Sequence, residues 1–204
     1  MTRQTASVVY LYLLVGLLPL VIVPGIDEFA LLPRLAFLLV LTLGLAVYFA
    51  LKPDPSQELP RQIAIPLIVF WGILAASALW ANTPIRSTFD LAKHVPVFAM
   101  FVLLVKAFPK EKLPTVLTIH AATGLLVSVI GVAEYFAALP FTIPSTGRPS
   151  ATFAFRNLAG AYLATGIPLA ILGHAICRLA WQRWLALLSG STMSLFLIYT
   201  RARA

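Results

Sequence analysis

Acidic residues, and charged residues in general, are scarce in this sequence. Of its 204 residues, 7 are Asp or Glu and 15 are Lys or Arg, so only 11% are charged. A soluble domain carries about 25% charged residues. This chain has too few to coat a water-facing surface, which excludes an ordinary soluble globular protein.

Cysteine and histidine are also rare. The single cysteine, Cys177, excludes an internal disulfide, and its apolar surroundings suit a small core residue. The histidines His94, His120 and His174 are far apart, and the sequence has no CxxC or HxxxH spacing. Protein metal sites commonly use such closely spaced ligands. The sequence therefore gives no support for a metal site or a metal cofactor.

Apolar residues are what the chain has in excess. They make up 60% of the sequence, and the mean hydropathy is +0.93, whereas a soluble domain is about 45–50% apolar. The net charge is +8, but the basic residues lie between apolar runs and form no basic helix. We therefore expect membrane lipids, and not nucleic acid, to be the partners of these cations.

The apolar residues fall into long stretches, most of them near the roughly 20 residues that cross the hydrocarbon core of a bilayer. The predicted spans are residues 7–24, 35–51, 63–80, 94–107, 115–138, 158–176 and 185–199. The fourth span is short, and a short amphipathic stretch over residues 87–93 is predicted before it. The sequence therefore predicts an all-α, polytopic transmembrane helical bundle of about seven spans, forming a single transmembrane domain over residues 1–204.

Basic residues between the spans bear on orientation. With the N-terminus in the cytoplasm, four of the five lysines fall in inside segments. The outside segments then carry mostly arginines, namely Arg34, Arg86, Arg148, Arg156, Arg201 and Arg203. Two explanations are open. The arginines serve a function, because guanidinium forks bind phosphate and carboxylate in a bidentate manner, or one span is misplaced.

Residues 147–163 form the most informative stretch. Arg148, Arg156 and Asn157 lie where a loop enters a predicted helix, and Asn157 is a candidate N-cap. The start of a helix offers unpaired N–H groups and the positive end of the helix dipole, so with two arginines nearby it suits a phosphate or diphosphate. The alternative is ordinary helix capping with interfacial arginines.

Two further positions are candidates for chemistry. Arg201 and Arg203 follow the last apolar span, where they either bind an anion or set topology at the interface. Glu134 lies near the predicted outer end of the fifth span, with Arg148 as its expected partner. Its carboxylate either accepts a proton from an acceptor hydroxyl or forms an ion pair that pins the helix.

At these residues the chain resembles the O-antigen ligase and O-antigen polymerase family of bacterial envelope glycosyltransferases. The family pattern Arg-x-x-Gly-Thr-Phe-x-x-x-Asn-x-x-Ala-x-x-Leu is matched over residues 148–163, with Ala151 and Gly160 replacing the usual glycine and alanine. Residues 200–204 resemble the family's Ser/Thr-Arg-Gly/Ala turn, and residues 77–84 its tryptophan-containing turn. Either Arg201 or Arg203 can be the motif arginine, and we prefer Arg203 because alanines flank it.

The resemblance implies a function at the periplasmic face of the bacterial inner membrane, in a multi-pass protein. A glycan would pass from an undecaprenyl-diphosphate carrier to lipid A–core, to another glycan or to a protein. Arg148, Arg203 and Glu134 would be catalytic, Arg148, Arg156, Asn157, Arg201 and Arg203 would bind substrate, and no metal or other cofactor is implied. Family members have more spans and a large outer loop with a functional histidine, so we expect this chain to be the N-terminal part of such a protein, which would hold part of the diphosphate site and lack part of the catalytic machinery.

Two other functions remain open on the sequence. A small-solute or bicarbonate transporter would place Glu134, His120 and the arginines along a path, although inverted repeats and matched broken spans are not seen. A non-catalytic membrane scaffold would use the spans alone.

Overall fold

The computed structural model describes residues 2–23, 29–52, 59–81, 83–140, 143 and 149–201. Within these ranges the regular structure is entirely helical, with no strand. The helices are α1 (Arg3–Leu17), α2 (Leu31–Leu51), α3 (Arg61–Leu79), α4 (Pro84–Ala107), α5 (Leu113–Tyr135), α6 (Arg156–Ile176) and α7 (Ala180–Thr200). Short 3₁₀ turns occupy Leu18–Leu20, Lys110–Lys112 and Ala151–Phe153. The predicted all-α class is confirmed.

Several of these helices have the length and composition of membrane spans. In the part of the chain that the structure describes, five segments qualify, namely Arg3–Leu20, Leu31–Leu51, Arg61–Leu79, Lys110–Tyr135 and Arg156–Ile176. Large apolar side chains on these helices, such as Val40, Ile68 and Ile171, are exposed, as is expected for surfaces that face lipid. The chain is thus a helical membrane protein, and spans through α4 and α7 stay predictions.

Helix α4 differs from its predicted form. It begins at Pro84 and runs without a break to Ala107, so the stretch 87–93 belongs to the same helix as the fourth predicted span. Proline is well suited to the first turn of a helix, where its missing N–H removes no bond. The second proline, Pro96, lies inside the helix, and its carbonyl accepts a hydrogen bond from Thr42 Oγ1 at 3.2 Å.

The chain divides into two compact units. Unit 1 comprises Met1–Tyr10 and Phe37–Phe108, and unit 2 comprises Leu11–Ala36 and Pro109–Ala204. In unit 1, the Arg3 guanidinium donates to the backbone carbonyls of Phe49 and Lys52 at the end of α2. Carbonyls at a helix end have no partner within the helix, so a cation from α1 fills that role.

Unit 2 is built on close packing of α5, α6 and α7. Gly124 and Gly131 on α5 lie against Met193 and Phe196 on α7, so closely that a Cβ atom would be 1.7 Å and 2.1 Å from those side chains. Small residues let helices approach closely in a membrane. Because the contacts advance along both helices together, α5 and α7 run in the same direction.

Helix α6 packs against both of these helices and runs in the opposite direction. A Cβ at Gly173 would contact Ala186 near the start of α7, whereas one at Gly166 would contact Met193 further along it. The ends of α5 and α7 and the start of α6 therefore lie at one end of unit 2, which we call the site end.

Candidate functional site

The 149–155 segment leads into α6 at the site end. Its residues Ser150, Ala151, Thr152 and Phe153 are buried, and Phe153 and Ala151 belong to the hydrophobic core that α5, α6 and α7 share. A loop that is buried needs partners for its backbone polar groups. Two charged side chains supply them, one from α5 and one from α2.

The first is Glu134, one turn or less from the end of α5. Its Oε2 atom accepts hydrogen bonds from the backbone N–H of Ser150 at 2.9 Å and of Ala151 at 2.7 Å. Hydrogen bonds to an ionised carboxylate are about twice as strong as neutral ones. Glu134 therefore ties the end of α5 to the segment before α6.

The backbone geometry explains why a carboxylate fits there. Ser150 has a φ of −127°, and Ala151 follows with a φ of +47°. A change of hand between successive residues turns neighbouring N–H groups toward one point and forms a concave site for an anion. In this protein the Glu134 carboxylate occupies that position.

The second charged group is Arg34, near the start of α2. Its Nη2 atom donates to the backbone carbonyls of Pro19 and Thr152, each at 2.7 Å. The guanidinium carbon lies 4.2 Å from the centre of the Phe153 ring, which is within the range of a cation–π interaction. The Thr152 hydroxyl also donates to Pro19 at 2.6 Å, so that Arg34 and Thr152 together join the 149–155 segment to the turn after α1.

The segment then makes a tight turn before the helix. The Phe155 N–H donates to the Phe153 carbonyl at 2.7 Å, and Ala154 between them has φ +64° and ψ −37°. This is a γ-turn with positive φ, a rare and strained conformation for a residue with a side chain. It redirects the chain from the buried turn into α6.

Helix α6 begins two residues earlier than the sequence predicts. Phe155 is extended, and its carbonyl accepts hydrogen bonds from the N–H groups of Leu158 and Ala159, both at 3.1 Å. Phe155 is therefore the N-cap, and the prediction of Asn157 as the N-cap is wrong. The extended conformation that a cap residue adopts falls at Phe155, where the γ-turn ends.

Arg156 and Asn157 occupy the first turn of α6. Arg156 is half-buried and Asn157 is exposed. Both are within the first helical turn, where backbone N–H groups have no partner inside the helix and anions are favoured. Their role in binding substrate stays a prediction.

The end of α7 lies beside the end of α5. The Tyr135 and Tyr199 rings are stacked, with centroids 4.4 Å apart, and Phe136 contacts Tyr199 edge-on at 5.7 Å. Thr200 ends the helix in a buried position, and Arg201 follows as an exposed residue with a left-handed φ of +45°. Arg201 is therefore at the site end.

The structure thus brings together several of the residues that the sequence singled out. Glu134, Arg156, Asn157 and Arg201 belong to elements that meet at the site end. Arg148 and Arg203 lie outside the described residues, so the expected pairing of Glu134 with Arg148 stays a prediction.

Sequence reasoning missed the role of Arg34 and Thr152. The predicted span 35–51 leaves Arg34 in an outside segment, whereas the observed helix α2 begins at Leu31 and includes it. An arginine inside an apolar helix is a signal of function or of a specific partner. The actual partners of Arg34 are backbone carbonyls, which no side-chain pattern reveals. Thr152 lies within the motif of residues 148–163, and the sequence predicts no role for its side chain.

Buried His120 lies on α5, several turns before Glu134. Its ring centroid is 5.9 Å from that of Tyr162, and Tyr162 in turn packs on Phe153 at 4.9 Å. His120 thus packs among aromatic side chains in unit 2. Among the described residues, no group of three or more His, Cys, Asp or Glu side chains is placed to hold a metal ion.

Comparison with family models, curated proteins and solved structures finds no match for this chain. The function therefore has to be argued from the site end itself.

Proposed function

We propose that this protein is a membrane glycosyltransferase of the ligase or polymerase type, acting at the periplasmic face of the inner membrane. It would move a glycan from undecaprenyl diphosphate to an acceptor hydroxyl on lipid A–core, on another glycan or on a protein. The arginines of the site end would hold the diphosphate.

One observation carries the proposal. Glu134 and Tyr135 are consecutive residues at the end of α5. Glu134 binds the 149–155 segment, within the first motif, and Tyr135 stacks on Tyr199, the residue directly before the second motif. Two stretches that the resemblance treats as one diphosphate site are thus both held by the same turn of α5.

The backbone conformation at Ala151 supports the same proposal. The family that the chain resembles usually has glycine at this place, and Ala151 has a φ of +47°. Glycine adopts positive φ without steric penalty. A turn with positive φ at this position favours glycine. This preference follows from the backbone and does not depend on the identity of the substrate.

The proposed reaction is a displacement at the sugar's anomeric carbon. The acceptor oxygen forms a new bond to that carbon, while the bond from the carbon to the diphosphate oxygen breaks and its electron pair leaves with undecaprenyl diphosphate. The acceptor hydroxyl loses its proton to a base, for which Glu134 is our candidate. Cationic groups near the diphosphate would stabilise the charge that develops as it leaves.

A transfer assay with the full-length protein in proteoliposomes tests this function. The donor is a labelled glycan on undecaprenyl diphosphate, and the product is the labelled acceptor together with free undecaprenyl diphosphate. We expect Arg156→Gln to lower the transfer rate about tenfold or more, as the loss of a charged hydrogen bond would. Arg178→Gln, an exposed arginine after the far end of α6, is the matched control and leaves the rate unchanged.

Two results would contradict the proposal. One is transfer by Arg156→Gln at the wild-type rate with equal amounts of protein in the vesicles. The other is bicarbonate uptake by wild-type vesicles that show no glycan transfer, because that result assigns the protein to the transporters.

A further inference from the structure

Arg34 is a half-buried arginine beside the 149–155 segment, and its geometry is unlike that of a ligand-binding cation. Both Nη2 bonds go to backbone carbonyls, those of Pro19 and Thr152. One face of the guanidinium is covered by the Phe153 ring. Among the described residues it has no carboxylate partner, and its buried Nε has no acceptor.

Removing a charge from water costs free energy unless the charge is well paired. A half-buried guanidinium at this place therefore suggests a specific role. The two carbonyls that it joins belong to segments far apart in sequence, the turn after α1 and the segment before α6. A single planar donor can bridge two such carbonyls with a fixed geometry. The bridge holds the 149–155 segment at the Thr152 carbonyl, whereas Glu134 holds it at the N–H groups of Ser150 and Ala151.

The 149–155 segment has little intrinsic preference for its observed backbone conformation. Ala151 and Ala154 both have positive φ, which side-chain-bearing residues adopt only when the surroundings impose it. Without the bridge, the strain at these residues would favour other conformations. The direction in which Arg156 leaves the segment would then no longer be defined.

We propose that Arg34 is a positioning residue, which holds the 149–155 segment in its strained form so that Arg156 and the first turn of α6 face the diphosphate. This inference rests on the proposed function for the identity of the ligand. The clamp itself is a property of the protein and can be measured without any substrate.

The test is the mobility of a nitroxide spin label at Phe155→Cys, an exposed position, in a Cys177→Ala background. The wild-type clamp is expected to give an immobilised spectrum. Arg34→Met and Arg34→Gln are each expected to give a mobile spectrum, and Arg178→Gln one that stays immobilised. Arg34→Met removes the buried charge, so it is the variant best suited to fold, and Arg34→Gln is the second.

A rescue separates positioning from a general structural role. Pro19→Cys and Thr152→Cys, joined by a short bifunctional thiol reagent, replace the bridge in the Arg34→Met variant. Affinity for undecaprenyl diphosphate in nanodiscs should fall roughly fivefold in Arg34→Met, as for a residue that acts through its neighbours. The cross-link, made in the Cys177→Ala background without the label cysteine, should restore most of it.

The outcomes are distinguishable. A mobile label in the wild type, or an immobilised label in either folded Arg34 variant, overturns the proposal. An Arg34 variant with an unchanged label spectrum and a lower affinity for undecaprenyl diphosphate also overturns it, because Arg34 would then contact the diphosphate directly. A cross-link that restores no affinity overturns it as well. A wild type that binds no undecaprenyl diphosphate refutes the proposed function, while the label still decides whether Arg34 positions the segment.

Discussion

The ring of Tyr135 stacks on the ring of Tyr199, with centroids 4.4 Å apart and planes inclined by 22°. These residues lie in the last turns of α5 and α7. Because Glu134 precedes Tyr135 and binds the 149–155 segment, one turn of α5 holds both neighbouring elements of the site end.

The aromatic stack gives the first prediction. Tyr199→Phe keeps the ring and should change the free energy of unfolding by less than about 0.5 kcal/mol, whereas Tyr199→Ala should lower it by about 2 kcal/mol or more, because both the stacking and the buried ring area are lost. Denaturant titration in mild detergent measures both. Equal stability of the two variants would show that the stack does not hold α5 to α7.

The Glu134 carboxylate gives the second prediction. Glu134→Ala leaves the N–H groups of Ser150 and Ala151 without their acceptor in a partly buried place, so it should destabilise unit 2 by about 2–3 kcal/mol. Glu134→Gln keeps an acceptor oxygen without the charge and should lose about half as much. Exposed Glu111 provides the matched control, Glu111→Ala. A thermal midpoint for Glu134→Ala equal to that of the control would contradict the assigned hydrogen bonds.

The third prediction concerns the glycines of α5. Gly131→Ala should destabilise the protein by about 1–3 kcal/mol, because the added Cβ would meet the buried Phe196 ring and force it to move. Gly124→Ala should have a smaller effect, since the flexible end of Met193 can shift. A Cβ atom at Gly72 would have nothing within 4 Å, so Gly72→Ala should stabilise its helix by about 0.5–1 kcal/mol. The reverse order of stabilities would mean that α5 and α7 do not pack as described.

The γ-turn at Ala154 gives the fourth prediction, with the opposite sign. Ala154→Gly should stabilise the protein by about 0.5–1 kcal/mol, because relief of the positive-φ strain exceeds the added entropy of the unfolded chain. The control is Ala164→Gly at an exposed position inside α6, which should destabilise by about 1 kcal/mol. If both substitutions destabilise equally, Ala154 does not have the conformation described.

The helices were predictable because a membrane span is a long apolar run, and most of the predicted spans fall within the observed helices. The site end was predictable only in part. Glu134 and Arg156 stood out as charges near the ends of spans. Their partners did not, because the atoms that Glu134 and Arg34 contact are backbone N–H and C=O groups, which every residue carries.

One wrong prediction and one unpredicted feature have the same kind of cause. Asn157 has the side chain of a good N-cap, but the γ-turn at Ala154 places the extended residue at Phe155 and so decides where α6 begins. Positive φ at Ala151 is equally hidden, since alanine gives no sign of it. The nearest sequence signal was the glycine that the resembled family usually has at this position.

We propose that the site end binds a lipid diphosphate through its arginines. The most direct measurement is a titration of the protein in nanodiscs with undecaprenyl diphosphate, undecaprenyl monophosphate and undecaprenol. We expect affinity in that descending order, about a tenfold loss of diphosphate affinity in Arg156→Gln, and no loss in Arg178→Gln. Equal affinity for the diphosphate and the uncharged undecaprenol, or an Arg156→Gln variant that binds as tightly as wild type, would contradict it.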